Sequence, residues 1–197
     1  MKRQAVTGVP CVFLDRDGTL NVEKGYLHKW DDWEWLPGVV DGLARLARAG
    51  FRLVVISNQS GMARGIYGLS EWERLCQNIS RDLDRSNVQI DGFYFCPHHP
   101  DFGDECACRK PKPGLVFQAA RDFGLDLSSS WMIGDKASDI MAGLRAGCQS
   151  VLVESGYGAC EKARVPAGIP VCQDFSQAVD YILKASRAMA GIRSVPA

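Results

Sequence analysis

Five short apolar runs recur along the chain, separated by longer stretches of helical periodicity, and that alternation constrains the fold more than any other feature. The runs are CVFLD (11–15), RLVVISN (52–58), GFYFC (92–96), WMIGD (131–135) and SVLVES (150–155). Each is continuously apolar rather than alternating, as strands buried on both faces are. Between them lie PGVVDGLARLARAG (37–50), SEWERLCQNISRDLDRS (70–86), PGLVFQAARDFG (113–124) and ASDIMAGLRAG (137–147). These carry Pro near a start, Gly at an end, or a Ser-x-x-Glu-like cap. A last helix is predicted over FSQAVDYILKASRAM (175–189). Strand followed by helix, repeated, predicts right-handed crossovers and an α/β doubly wound parallel sheet. A chain of 197 residues suits one such domain. It is expected to span residues 1–190, with AGIRSVPA read as a frayed end and 191–197 as a flexible tail.

Charge and hydropathy exclude several partners. Lys plus Arg and Asp plus Glu both number 23, so the net charge is zero and no basic block marks a nucleic-acid footprint. No stretch reaches the roughly 18 apolar residues of a membrane span, and the opening MKRQAVTGVP lacks the apolar core of a signal peptide. A cytoplasmic protein, monomeric and without nucleic-acid or membrane partners, is the expectation.

In a doubly wound sheet the ligand crevice lies beyond the carboxyl ends of the strands. The polar strand ends of this chain therefore converge on one site: Asp15 after the first run, Ser57 and Asn58 after the second, Cys96 after the third, Asp135 after the fourth. Any one of them is ordinary turn chemistry. Carboxylates closing an apolar run, however, need a cation, because an unpaired buried charge is costly.

Together these residues resemble the motifs of the haloacid dehalogenase (HAD) superfamily of phosphotransferases: DRDGT (15–19), SNQSG (57–61), Lys110 in RKPKPG, and GDKASD (134–139). The resemblance implies a Rossmann-like HAD fold in which Asp15 is the nucleophile, Asp17 the general acid and base, Ser57 and Lys110 phosphate binders, and Asp135 a magnesium ligand. The physical chemistry agrees, since a carboxylate attacks a phosphate dianion only when cations stand between the two negative charges. Magnesium takes oxygen ligands and keeps several waters. By the resemblance it is held by Asp15, Asp135 and the backbone carbonyl of Asp17. Asp17, two residues past the nucleophile, can protonate the leaving oxygen and then activate water. Gly18 lets the chain turn closely past the phosphoryl group.

Three of the eight cysteines crowd into CPHHPDFGDECACRK (96–110) beside two histidines. In a reducing compartment that pattern points to metal rather than disulfides. Cys96, His98, Cys106 and Cys108 form the donor set of a closed, structural zinc site, with His99 competing for the nitrogen position and buried free thiols as the alternative. Such a site would hold Arg109 and Lys110 over the crevice. Cys11, Cys76, Cys148, Cys160 and Cys172 are scattered and read as small apolar residues.

Only 41 residues lie between Asp15 and Ser57, and 52 between Ser57 and Lys110, both intervals filled by helix and strand. The chain therefore reads as capless. Trp30, Trp33 and Trp35 are expected to pack their loop on the body rather than stack on a sugar. Capless build, zinc loop and motifs together resemble the heptose 1,7-bisphosphate 7-phosphatases of bacterial lipopolysaccharide precursor synthesis. That resemblance implies a sugar bisphosphate substrate contacted by Glu23, Lys24, Gly25, Tyr26, Asn58, Gln59, Ser60, Arg109, Lys110 and Lys136. Arg109 suits the phosphate that is not cleaved, since its guanidinium can grip an anion with two parallel hydrogen bonds. Histidinol-phosphate phosphatase domains share this build and give the alternative substrate. A non-catalytic phosphosugar-binding module is a further alternative, which the intact Asp15 and Asp17 pair opposes.

Overall fold

The computed structural model describes residues 8–103 and 105–193. Six parallel strands form one sheet: β1 (Cys11–Leu14), β2 (Arg52–Asn58), β3 (Gly92–Cys96), β4 (Trp131–Gly134), β5 (Gln149–Val153) and β6 (Val171–Cys172), in the order β3-β2-β1-β4-β5-β6. The five runs expected as strands are all present. The sixth, two residues long at the sheet edge, pairs Val171 and Cys172 with Leu152 and Val153. A pair is too short to carry a period, so β6 leaves no sequence signal.

Among the described residues five helices cross between strands, α1 (Val39–Arg48), α2 (Leu69–Asp84), α3 (Gly114–Phe123), α4 (Ala137–Ala146) and the short α5 (Gly158–Glu161), and α6 (Phe175–Arg193) follows the last strand. Their apolar spacing explains them. In α1, Val39, Leu43 and Leu46 are buried, and in α2, Trp72, Leu75, Ile79 and Leu83 are, each set a single helical stripe. Each fully buried side chain of this kind contributes about 1.5–3 kcal/mol. The cap of α2 differs from the expected Ser70-x-x-Glu73: it falls two residues earlier, at Gly68, and the Glu71 carboxylate accepts the Gly68 backbone N–H at 3.0 Å. Glycine imposes no side chain at the cap, so the third helical position alone supplies the reciprocal bond. At the other end of the chain, α6 continues to Arg193, past the expected stop at Met189. Nothing in Ala190-Gly191-Ile192 forbids a further turn, and residues 194–197 of the expected tail lie outside the described residues.

Alternate strand residues face opposite sides of the sheet. Val12, Leu14, Leu53, Val55, Ile133 and Val151 join a core with α1, α2 and α6, whereas Cys11, Phe13, Val54, Ile56 and Met132 join one with α3. Trp30 stacks on Trp33, Trp35 meets Trp33 edge-on, and all three pack against the first core. No helix among the described residues is long and apolar enough to cross a membrane. The chain runs outward through β1, β2 and β3, then returns to place β4 beside β1. That reversal opens a crevice where the carboxyl ends of β1 and β4 diverge.

Candidate active site

At this crevice β1 and β4 stop one residue short of Asp15 and Asp135, so each carboxylate stands at the first position free of the sheet ladder. The Asp15 N–H still donates to Ile133 O at 2.9 Å, which locks the two strand ends together. Beyond Asp15 the chain turns on the Arg16 carbonyl, which accepts the N–H groups of Thr19, Leu20 and Asn21 at 3.2, 2.8 and 3.3 Å. Gly18 makes that turn with φ at 85°, and a Cβ there would lie 2.3 Å from Asp135 Oδ2. Only glycine meets both demands.

Asp15, Asp135 and Asp139 each offer a carboxylate oxygen, these oxygens all lying within 4.8 Å of one another. Asp135 Oδ2 accepts the Tyr157 N–H at 2.8 Å, while Asp135 Oδ1 is buried without a partner. Burial, reinforced by the neighbouring charges of Asp15 and Asp139, pushes the Asp135 carboxyl up to about 8. The same causes, burial first and then Asp15, raise Asp139 to about 6 against the pull of Lys110. Three converging carboxylates with one orphaned oxygen are a donor set for a hard divalent cation.

Lys110 supplies the nearest positive charge. Its Nζ lies 2.5 Å from Asp15 Oδ1, 2.8 Å from Asp139 Oδ1 and 2.6 Å from the Ile56 carbonyl. Burial alone would lower the ammonium, but Asp139 and Asp15 outweigh it and hold it above its ordinary value. Asn58 fixes the lysine's backbone from both sides, donating to Lys110 O at 3.1 Å and accepting from Lys110 N at 3.0 Å. Gln59 Nε2 donates to Ser57 Oγ at 2.6 Å and to Asp17 Oδ2 at 3.3 Å, and the Tyr67 hydroxyl donates to Gln59 Oε1.

A cavity of about 760 Å³ opens above these groups. Asp15, Asp17, Glu23, Gly25, Tyr26, Ser57, Asn58, Gln59, Ser60, Arg109, Lys110 and Lys136 all line it. Asp135 lies fully buried beneath. Lys24 does not reach the cavity: its Nζ donates to Asp32 O at 2.9 Å and pairs with Glu34 at 3.1 Å. The Asp17 carboxylate is taken by Arg16, Asn21 and Gln59, which leaves its backbone carbonyl, the atom expected as a magnesium ligand, outside the side-chain grouping. Asp139 stands in the grouping instead. Its only mark in the sequence is a place in GDKASD, at the first turn of α4. Tyr157, Glu161 and Arg164, after β5, also line the cavity and were not read from sequence, because that loop shows no motif. The three tryptophans are absent from the lining.

Cys96, His98, Cys106 and Cys108 meet at one point as expected. Cys96 Sγ lies 3.6 Å from Cys106 Sγ, 3.0 Å from Cys108 Sγ and 3.6 Å from His98 Nδ1, and His98 Nδ1 lies 3.2 Å from Cys108 Sγ. Those separations approach the ~3.7 Å between ligands of a tetrahedral centre with metal–sulfur bonds of about 2.3 Å. Burial would raise the Cys106 thiol, yet hydrogen bonds from Cys108, Cys96 and the nearby backbone bring it down to about 7. The competing His99 turns away, its Nε2 3.2 Å from Arg64 Nη2 and its Nδ1 accepting from Asp101 N. Arg109 Nη1 donates to His98 O at 2.9 Å, which ties the loop to the cavity rim. No further domain is inserted between Asp15 and Lys110 among the described residues.

Comparison with known proteins agrees with this geometry. A family described as HAD-hydrolase-like matches residues 107–178. The D-glycero-beta-D-manno-heptose-1,7-bisphosphate 7-phosphatase of Photorhabdus laumondii subsp. laumondii is 38% identical over 195 residues, covering 94% of this chain and 98% of that protein. The enzyme of that name from Escherichia coli strain K12 is 38% identical over 180 residues, 89% and 88% of the two chains. The D,D-heptose 1,7-bisphosphate phosphatase from B. bronchiseptica, solved in complex with magnesium and phosphate, superimposes with a TM-score of 0.82 at 35% identity, covering 89% of this chain and 99% of that one. Identity at this level, running the length of both chains on a shared HAD fold, means that the chain belongs to the D-glycero-beta-D-manno-heptose-1,7-bisphosphate 7-phosphatase family.

Proposed function

We propose that this protein is a magnesium-dependent phosphoric monoester hydrolase that removes the C7 phosphate of D-glycero-D-manno-heptose 1,7-bisphosphate, in lipopolysaccharide heptose precursor synthesis. The observation that carries the reading is the buried ammonium of Lys110, 2.5 Å from Asp15 and 2.8 Å from Asp139, at the floor of a cavity that Arg109 overhangs. A strand-end carboxylate, a fixed ammonium and a guanidinium around one crevice support that chemistry.

In this reading Asp15 Oδ attacks phosphorus, forming an aspartyl-phosphate while the ester P–O bond breaks. Asp17 delivers its proton to the departing C7 oxygen, then takes one from the water that cleaves the aspartyl-phosphate. Lys110 and the Ser57 hydroxyl donate to the phosphoryl oxygens, and Gln59 holds Ser57 and Asp17 in register. Asp15, Asp135 and Asp139 are the residues that would hold magnesium, with the Asp17 carbonyl as the further ligand expected from the resemblance. When bound, the ion neutralises charge between nucleophile and phosphate. Cys96, His98, Cys106 and Cys108 would hold zinc, which orders their loop and takes no part in the chemistry. Arg109, Lys136, Glu23, Gly25 and Tyr26 contact the sugar and its second phosphate.

Regiochemistry tests the proposal, because a bisphosphate offers two competent ends. Phosphorus NMR of the product should show the C1 phosphate retained. Arg109→Ala should raise KM for the bisphosphate far more than for a simple monophosphate ester. Release of the C1 phosphate, or a clear preference for histidinol phosphate, would overturn the assignment.

A further inference from the structure

Arg16, the residue between the two motif acids, is 1% exposed. Its Nη2 lies 2.7 Å from Asp17 Oδ1 and 2.6 Å from Asp17 Oδ2, and donates to the Leu27 carbonyl at 2.8 Å. The guanidinium carbon sits 5.2 Å from the centre of the Trp72 ring, which α2 brings beneath it. Nε and Nη1 are buried without hydrogen-bond partners. A guanidinium buried with two orphaned nitrogens is expensive to fold, and a buried ion pair is weak evidence for stability. An apolar side chain on Trp72 would cost less. The hydrogen bonds that the Arg16 side chain does make both serve the crevice: Asp17 faces the cavity, and Leu27 closes the segment whose Glu23, Gly25 and Tyr26 line it.

We infer that Arg16 is a positioning residue that holds the Asp17 carboxyl in the orientation needed to reach the leaving oxygen, and couples it to the substrate-contacting segment through Leu27. This rests on the reading of Asp17 as general acid. The chemistry favours arginine here. A guanidinium does not lose its proton in a protein, so it can grip Asp17 without competing for the proton that Asp17 transfers. Asn21 Nδ2, 3.2 Å from Asp17 Oδ1, and Gln59 Nε2, 3.3 Å from Oδ2, complete a ring of donors around the same carboxylate. Loss of Arg16 leaves only these longer contacts, and a displacement of even about 1 Å from the productive position can cost about 10²-fold in rate.

Leaving-group dependence tests the inference, because protonation matters for an alkoxide and little for a nitrophenolate. kcat/KM reports the first transfer, in which the Asp15–P bond forms, the ester bond breaks and the proton of Asp17 goes to the leaving oxygen. It would be measured for heptose 1,7-bisphosphate and p-nitrophenyl phosphate in the wild type and in the Asp17→Asn, Arg16→Gln and Arg16→Lys variants. Asp17→Asn should lose about 10²-fold more on the alkyl than on the aryl ester. Arg16→Gln should show the same bias at roughly tenfold. Arg16→Lys, which keeps the charge in a point donor and safeguards against a Gln variant that fails to fold, should show it reduced. Parallel losses on both esters in a folded Arg16 variant, while Asp17→Asn retains its bias, would overturn the inference alone. Absence of bias in Asp17→Asn would overturn the acid role and the inference with it.

Discussion

Asp15, Asp135 and Asp139 are chemically identical side chains that the fold places in different states. Lys110 sits directly against Asp15 and Asp139, whereas Asp135 keeps one oxygen with no partner. Asp15 was legible from DRDGT only in company with SNQSG, Lys110 and GDKASD, because one strand-end acid alone is ordinary turn chemistry. Asp139 was not, since an acid in the first turn of a helix is also an ordinary dipole partner. Its distinction comes from Lys110, far away in sequence, whose ammonium enters only in the folded chain. Asp15→Asn should lower kcat by about 10³-fold or more, because the residues of a covalent mechanism fail as a unit. Rapid-quench detection of the phosphorylated protein, present in the wild type and absent in the variant, checks it. Near-normal turnover in the variant would refute the covalent route.

At the scale of elements, the Cys96–Cys108 loop has little apolar support of its own between its ligands. Its 3-10 turn at Pro100–Phe102 has no buried residue. Order must come from the four converging ligands, and the Arg109 bond to His98 O passes that order to the cavity. Purified protein should carry about one equivalent of zinc per chain, and Cys106→Ala should lose both the metal and the protection of the loop from hydrogen exchange. Elemental analysis of chelator-free protein showing no zinc would refute this. The ligand set could be read from spacing because soft donors in pairs are rare by chance. His98 was favoured on the same spacing, and what removes His99 as a competitor is Arg64 engaging the second imidazole, which no spacing shows. The start of α2 was misplaced for a related reason: Glu71 and Glu73 are equivalent as letters, and only the backbone direction at Gly68 selects Glu71.

For the molecule as a whole, the acidic crevice links stability to pH. Burial first, and then Asp15, raise Asp135 to about 8 and Asp139 to about 6, from an ordinary value of 3.8. Between pH 4 and 8 the metal-free folded chain therefore binds more protons than the unfolded chain, and its stability falls as pH rises. Thermal midpoints in EDTA should be lower at pH 8 than at pH 5, and magnesium should narrow the gap by binding the ionised carboxylates. A midpoint that rose with pH in EDTA would contradict the assignment. The periodicity of the sequence alone determined the parallel sheet and its main helices, because burial on two faces demands continuous apolar strands and one-sided helical stripes. The strand ends located the crevice, because a doubly wound sheet exposes its carboxyl edge at the switch point. What only the tertiary structure decided was which charges meet. Lys110 between two carboxylates, Lys24 outside the cavity and Arg16 beneath Asp17 all depend on side-chain directions and on partners far apart in sequence. No local pattern encodes these, because electrostatic energy depends on distance and burial, and both are settled only when the chain has folded.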